Sequence, residues 1–295
     1  MTSGAIGLAA RRALRQGAGM AQTIALIGFG EAGSTFARAA GWGASARACD
    51  IRADRGDVAA SLGVTFTHSA AEALAGADLV LSLVTADAAR TVARDCARWL
   101  PSGALWCDMN SVAPDTKRAA AQCIAAVGAH YVDVAVLAPV EPARLRVPLL
   151  LAGGAADAAA TALAAAGFAN MRVVGADVGR ASAIKMIRSV MVKGIEALTA
   201  EMMLAATRAG VADDVLASLD ASERGASERG ASWFGRAAYN IERMATHGLR
   251  RAAEMEESAR TLAALGVEPL MTRATVRRQR EAAGHPIAIP TGNGA

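Results

Sequence analysis

The sequence predicts an α/β doubly wound sheet followed by an all-α C-terminal domain. Three observations lead there. Short, near-continuously apolar runs recur between residues 23 and 153, most of them separated by helical stretches. A glycine cluster follows the first run at once. After about residue 178 the strand-like runs stop and only helical segments remain. Strand and helix in alternation mean a parallel sheet with helices on both faces, and strands without polar alternation fit a sheet covered on both sides.

The elements follow in order. "TIALIG" (23–28) is the first strand, and a helix runs from the glycines to about Ala40. "ARACD" (46–50), "VTFT" (64–67), "DLVLSLV" (78–84), "ALWCDM" (104–109), "YVDVAVL" (131–137) and "PLLLAG" (148–153) are the next strands, with helices such as 86–98 and 113–127 between them. Beyond 178 the segments 180–208, 211–220, 231–246, 248–265 and 268–283 all read as helices, with Gly210 and Gly266 as stops. "SERGASERGA" at 222–231 is a tandem pentapeptide, read as a small duplication in a loop or helix end. Residues 1–19 carry Arg11, Arg12 and Arg15 and no acid, which mimics an organelle-targeting peptide. The preferred reading is an upstream start or a disordered tail, because Met20 is followed at once by a strand.

Composition excludes several classes. With 53% hydrophobic and 20% charged residues the chain is globular, and no stretch reaches the roughly 20 strongly apolar residues of a membrane span. The net charge of +4 comes from Arg spread among acids, so nucleic-acid binding is not expected. Cys49, Cys96, Cys107 and Cys123 lack metal-type spacing and read as thiols in a reducing, cytoplasmic setting. The four His residues are isolated, so no metal is expected.

"IALIGFGEAGSTFA" sets Gly28, Gly30 and Gly33 in a G-x-G-x-x-G spacing, after a strand and opening a helix. Gly28 permits the tight turn, Gly30 lets backbone approach a pyrophosphate, and Gly33 lets helix pack on strand. The loop Gly28, Phe29, Gly30, Glu31, Ala32 and Gly33 is therefore the candidate cofactor site of a Rossmann-type domain, with the anion at the helix N-terminus. Asp50 ends the second strand, where an acid accepts from a ribose 2′-hydroxyl and repels a 2′-phosphate. NAD is favoured, and Arg52 and Arg55 keep NADP admissible. The expected organisation is an extension over 1–20, a dinucleotide-binding domain over 21–178, and a helical substrate and dimerisation domain over 179–295.

Cofactor and substrate meet at the carboxyl ends of the strands. Thr85 lies after the fourth strand, Asp108, Asn110 and Ser111 lie after the fifth, and Asp133 lies within the sixth. "DMNSVAP" also reads as helix capping, with Asn110 or Ser111 at the cap and Pro114 in the first turn. The two readings can coexist.

Of 31 Lys plus Arg, the lysines are Lys117, Lys185 and Lys193, and two of these sit in "GRASAIKMIRSVMVKGIEAL". An ε-amino group can lose its proton, whereas a guanidinium in practice cannot. On a helix, Lys185, Ser189 and Lys193 form an i, i+4, i+8 stripe, with Arg188 about 60° to one side. The bland reading is snorkelling from an amphipathic helix, which suits Lys193 better than Lys185 with its neighbours Ala183, Ile184, Met186 and Ile187. His247, Arg250, Arg251 and Glu254 read as surface pairs, the preferred reading, or as residues that reach a substrate.

The chain resembles the β-hydroxyacid dehydrogenases related to 6-phosphogluconate dehydrogenase over most of residues 22–200. The resemblance rests on the glycine loop at 28–33, on "DMNSVAP" at 108–114, and on "GRASAIK" at 179–185. It implies Lys185 as general acid/base, with Asn110, Ser111, Asp133, Arg188 and Ser189 around a substrate. Ser189 stands where the family usually has Asn, and "DVAVLAP" (133–139) replaces its D-A-P-V-S-G-G substrate loop. The helical half resembles a branch with a distinct C-terminal domain.

The expected function is an NAD(P)-dependent oxidoreductase, with hydride passing between nicotinamide and the hydroxyl-bearing carbon of a small hydroxy acid. The family implies decarboxylation where the product is a β-keto acid. An imine reductase-like enzyme and a non-catalytic NAD-sensing module are the alternatives, and Lys185 argues against both. The apolar surface of the helical half predicts a homodimer.

Overall fold

The computed structural model describes residues 22–223, 232–285 and 287. The N-terminal segment and most of the 222–231 repeat lie outside the described residues. The chain divides into two compact units, up to Lys185 and from Met186 onwards.

The first unit holds an eight-stranded sheet: β1 (Ile24–Ile27), β2 (Ala46–Cys49), β3 (Thr65–Thr67), β4 (Leu79–Ser82), β5 (Leu105–Asp108), β6 (His130–Val136), β7 (Leu149–Ala152) and β8 (Met171–Gly175). Their order is β3-β2-β1-β4-β5-β6-β7-β8. β1 lies between β2 and β4, so the order reverses there and opens a crevice at the carboxyl ends of β1 and β4.

The helices are α1 (Glu31–Ala40), α2 (Arg55–Ser61), α3 (Ala70–Leu74), α4 (Ala89–Ala97), α5 (Pro114–Ala125) and α6 (Ala156–Ala165), followed by α7 (Arg180–Ala209), in which the division between the units falls. Alternation along the strands builds a core on each face. Ile24, Leu26, Leu79, Leu81, Leu105 and Cys107 pack with Phe36, Trp42 and Phe168. Ala25, Ile27, Val80 and Trp106 pack with Leu74, Ala93, Cys96 and Ile124. Because both faces are covered, the central strands carry no polar alternation.

Two features depart from the expected parallel sheet. β7 runs antiparallel to β6, and no crossover helix separates them. β8 pairs parallel with β7. None of its residues is buried and it lacks the apolar run of an inner strand, which hides it in the sequence.

The second unit contains the rest of α7, α8 (Ala212–Glu223), α9 (Trp233–Ala264) and α10 (Leu270–Ala282). The segments expected as two helices, 231–246 and 248–265, are the single helix α9. Gly248 does not stop it; a Cβ there would meet the Gln279 carbonyl oxygen at 2.3 Å and Ala283 Cβ at 2.9 Å. The glycine serves a close approach to α10. Ala252, Met255 and Val276 form one apolar cluster, and Ala200, Met244 and Ala282 another. Among the described residues no helix is long and apolar enough to cross a membrane.

Candidate functional site

The glycine loop leaves β1 and opens α1. Gly28 has φ +93, and a Cβ there would lie 2.6 Å from the Leu83 carbonyl oxygen. A Cβ on Gly33 would lie 2.9 Å from the Gly28 carbonyl oxygen. Both positions exclude larger residues. At Gly30 an added Cβ meets nothing within 4 Å, and as the N-cap of α1 it brings no side chain to the first N–H groups. The absence of an N-cap side chain suits an incoming anion. The loop geometry fits a dinucleotide pyrophosphate. Glu31 is exposed and Ala32 half-buried in the first turn.

Phe29 holds the glycine loop to the rest of the first unit. Its ring is fully buried in the core, and its amide donates to Asp50 Oδ2 at 2.6 Å. Asp50 Oδ1 accepts the amide of Arg52 at 2.9 Å, so the acid ties the end of β2 to the glycine loop. Arg52 donates to Asp54 through Nε at 3.0 Å and Nη2 at 2.7 Å. Arg55 Nη2 lies 3.7 Å from the same carboxylate. Thr85 is exposed after β4, and a hydrogen bond from its side chain holds the exposed Asp87 carboxyl below its ordinary range.

The loop after β5 settles the capping question. Ala113, not Asn110 or Ser111, occupies the N-cap of α5, without a side-chain bond, and Pro114 takes the first turn. Asn110 is buried. Its Nδ2 donates to Ser82 Oγ at 3.0 Å, while its Oδ1 has no hydrogen-bond partner among the described residues. Ser111 Oγ accepts from Lys185 Nζ. Lys185 is half-buried near the start of α7, the last residue of the first unit.

Asp133 lies in the interior of the first unit. It is 0% exposed, and its Oδ2 accepts the amides of Gly179 at 3.1 Å and Ser182 at 3.0 Å. A carboxylate is favoured there because the first turn of α7 presents unpaired N–H groups. Lys117, which sequence reasoning left unassigned, is also fully buried. Its Nζ donates to the Asp108 carbonyl oxygen at 2.7 Å and to Asp108 Oδ1 at 3.0 Å, and lies 3.4 Å from Asp133 Oδ1. Tyr131 donates its hydroxyl to Asp108 Oδ2 at 2.6 Å. Burial foremost, then the Asp108 charge, pushes the Tyr131 pKa far up, so it stays a donor. A lysine in the first turn of a helix, three residues after a proline, was the available signal, and it reads equally as surface.

In the second unit the stripe continues along α7. Ser189 is buried and accepts from Lys193 Nζ at 3.3 Å. Lys193 does not snorkel; it is buried and pairs with Glu254 Oε2 at 2.9 Å. Arg188 is exposed. Arg251 is not a surface residue either: it is buried and bonds Glu196 through Nε at 3.0 Å and through Nη2. Gln279 Nε2 donates to the same carboxylate at 3.0 Å.

The four cysteines are free thiols. Among the described residues no cluster of three or more His, Cys, Asp or Glu could hold a metal ion.

Residues 206–282 match a domain of unknown function (DUF1932). A conserved hypothetical protein from Sinorhizobium meliloti is 39% identical, with 93% of each chain covered and a TM-score of 0.72. A 3-hydroxyisobutyrate dehydrogenase from Mycobacterium tuberculosis shares the fold at 18% identity and TM-score 0.74, covering 93% of this chain and 98% of that one. An imine reductase variant from Myxococcus stipitatus, in complex with NAD+, shares it at 20% identity and TM-score 0.61, covering 91% and 96%. Residues 23–175, just over half of the chain, match the NAD binding domain of 6-phosphogluconate dehydrogenase. The protein therefore belongs to that NAD-binding family, with a distinct helical domain at its C-terminal end.

Proposed function

We propose that the protein is an NAD(P)-dependent oxidoreductase of the β-hydroxyacid dehydrogenase type, acting on a small hydroxy acid with Lys185 as general acid/base. The observation that carries this reading is the hydrogen bond from Lys185 Nζ to Ser111 Oγ. It joins the one half-buried lysine of the first unit to the loop beyond β5, next to the crevice expected to hold nicotinamide.

NAD, when bound, supplies the hydride acceptor. The chain's own residues supply the rest. The N–H groups opening α1, with Gly28 and Gly30, hold the pyrophosphate, and Asp50 accepts from the ribose. Its negative charge favours NAD over NADP. The Arg52–Asp54 pairing supports this, because it occupies the guanidinium that a 2′-phosphate would need. As hydride leaves the substrate carbon, neutral Lys185 accepts the hydroxyl proton; in reverse, its ammonium donates to the carbonyl oxygen. Ser111 holds the amine in place, and the unsatisfied Asn110 Oδ1 is the kind of buried atom a ligand satisfies. Ser189 and Arg188 stay candidates for substrate contact on the strength of the family resemblance alone. Lys193 is engaged with Glu254 and is not assigned a catalytic role.

Four exposed apolar residues, Ile187, Met191, Ile195 and Leu198, lie along one face of α7. This spacing supports a homodimer through the helical domain. Free thiols throughout support a reducing compartment such as the cytoplasm.

The deciding experiment follows reduced-nucleotide absorbance with 3-hydroxy acids, sugar acids and β-hydroxy amino acids, using NAD and NADP in parallel. Turnover of a hydroxy acid is expected. Turnover of cyclic imines alone, or tight nucleotide binding with no turnover of any panel member, would refute the proposal.

A further inference from the structure

We propose that the buried group Lys117, Asp108, Tyr131 and Asp133 is the positioning device for the Lys185–Ser111 pair, with Lys117 at its centre. The proposal rests on the functional reading above only for the importance of that pair; the placement itself is independent of any reaction.

Two separate pieces of chain must be aligned for Lys185 to meet Ser111: the loop beyond β5 and the first turn of α7. Each is held by one buried aspartate. Asp108 Oδ1 accepts the Asn110 amide at 2.9 Å, which sets the loop one residue before Ser111. Asp133 Oδ2 takes the amides of Gly179 and Ser182. Ser182 precedes Lys185 by three residues, about 4.5 Å along the helix axis. The two aspartates are register partners on the paired strands β5 and β6, but neither side chain bonds to the other's segment. Lys117 connects them: it donates to the carbonyl and the carboxylate of Asp108, and its charge lies 3.4 Å from Asp133 Oδ1, an atom with no hydrogen bond of its own among the described residues. Tyr131 fixes the remaining Asp108 oxygen.

One ammonium thus faces two carboxylates, with all three side chains at most 1% exposed. Buried ionic groups add little net stability over apolar residues of similar volume, although removing one partner alone leaves an uncompensated charge. Their use is geometric. An ionic bridge through a dry interior permits one arrangement of its partners, because any displacement leaves a buried charge without its counterpart. The loop bearing Ser111 and the turn leading to Lys185 are thereby locked in common register.

The test uses the full chain labelled with 13Cε-lysine, which gives three lysine signals, assigned by Lys→Arg replacement. Ser111→Ala marks where the Lys185 signal falls once the serine contact is lost. In Lys117→Met the Lys185 signal is expected to move at least halfway to that position, while the Lys193 signal stays in place and nucleotide binding is retained. A merely structural role would lower the melting temperature without moving the Lys185 signal, and a folded Lys117→Met with Lys185 at its wild-type position overturns the proposal. Should loss of the buried cation prevent folding, Tyr131→Phe decides, since it removes one hydroxyl and no charge. Movement of the Lys185 signal towards the Ser111→Ala position supports the device, and an unmoved signal overturns it. No substrate enters these measurements, so a failed dehydrogenase assay and a failed positioning test are separate results.

Discussion

The amide of Phe29 donates to Asp50 Oδ2 at 2.6 Å, joining the turn after β1 to the end of β2. The carboxylate that is read as choosing the nucleotide therefore also shapes the loop that receives it. Asp50→Asn keeps an oxygen for the Phe29 amide and removes the charge. The expected result is a rise of about tenfold or more in the affinity ratio of NADPH to NADH, equivalent to about 1.4 kcal/mol. Titration of nucleotide fluorescence measures it, and an unchanged ratio would remove Asp50 from the selection of cofactor.

Lys185→Arg retains a positive charge but cannot cycle its proton at neutral pH. The value of kcat/KM should fall by about 10²–10⁴-fold, with NADH affinity within about twofold of wild type, because the glycine loop is untouched. Steady-state rates on the best substrate from the panel, alongside nucleotide titration, test this. Activity near wild type ends the role assigned to Lys185.

The helical unit offers a matched pair of glycines. At Gly248 an added Cβ would overlap the Gln279 carbonyl oxygen at 2.3 Å, and backbone cannot yield as a side-chain tip can. Gly248→Ala should destabilise by about 1–3 kcal/mol through overpacking. Gly194, inside α7, has nothing within 4 Å of its added Cβ. Gly194→Ala should leave stability unchanged or raise it by up to about 1 kcal/mol. Urea midpoints followed by circular dichroism distinguish the two, and equal effects would contradict the close helix approach.

Burial pushes the Cys96 and Cys107 thiols up to about 12, from 9.0, with lesser contributions from nearby acids. Above the ordinary thiol range the unfolded chain releases protons that the folded chain retains. The unfolded state then binds fewer protons, so stability falls as pH rises. The stabilisation is complete below 9 and is lost progressively between 9 and about 12. Urea midpoints should decline across this window, and Cys107→Ala should make the decline shallower. An identical slope in the variant would mean that the thiol is not the titrating group.

Met191 and Ile195 are 65% and 45% exposed on one face of α7. If that face joins two copies, a glutamate there must be desolvated against its counterpart, at a cost well beyond surface effects. Sedimentation at micromolar concentration should give a dimer for the wild type and a monomer for Met191→Glu. A wild-type monomer rules out the interface.

Most of the sheet was legible because its information is local. The apolar runs of β1, β4 and β5 and the spacing of Gly28, Gly30 and Gly33 depend on neighbouring residues, and the helix after the glycines begins where spacing places it. The direction of β7 was not legible: a strand covered on both faces is equally apolar whichever way it runs. The unbroken length of α9 was not legible either, since a glycine that ends a helix and one that admits a second helix look alike in sequence. The same holds for Lys193, whose partner Glu254 lies far along the chain.

The sequence by itself determined the α/β-then-α order, the glycine loop with Asp50 about twenty residues beyond it, and the isolation of Lys185 in an apolar helix. Only the tertiary structure decided that Ser111 receives Lys185, that Asp133 faces inward to the start of α7, and that Lys117 is buried between two aspartates. Secondary structure and turn chemistry follow from contacts a few residues apart. The pairing of buried charges follows from which distant segments the packed core brings within a few ångströms, and a linear pattern of residues carries no such distance.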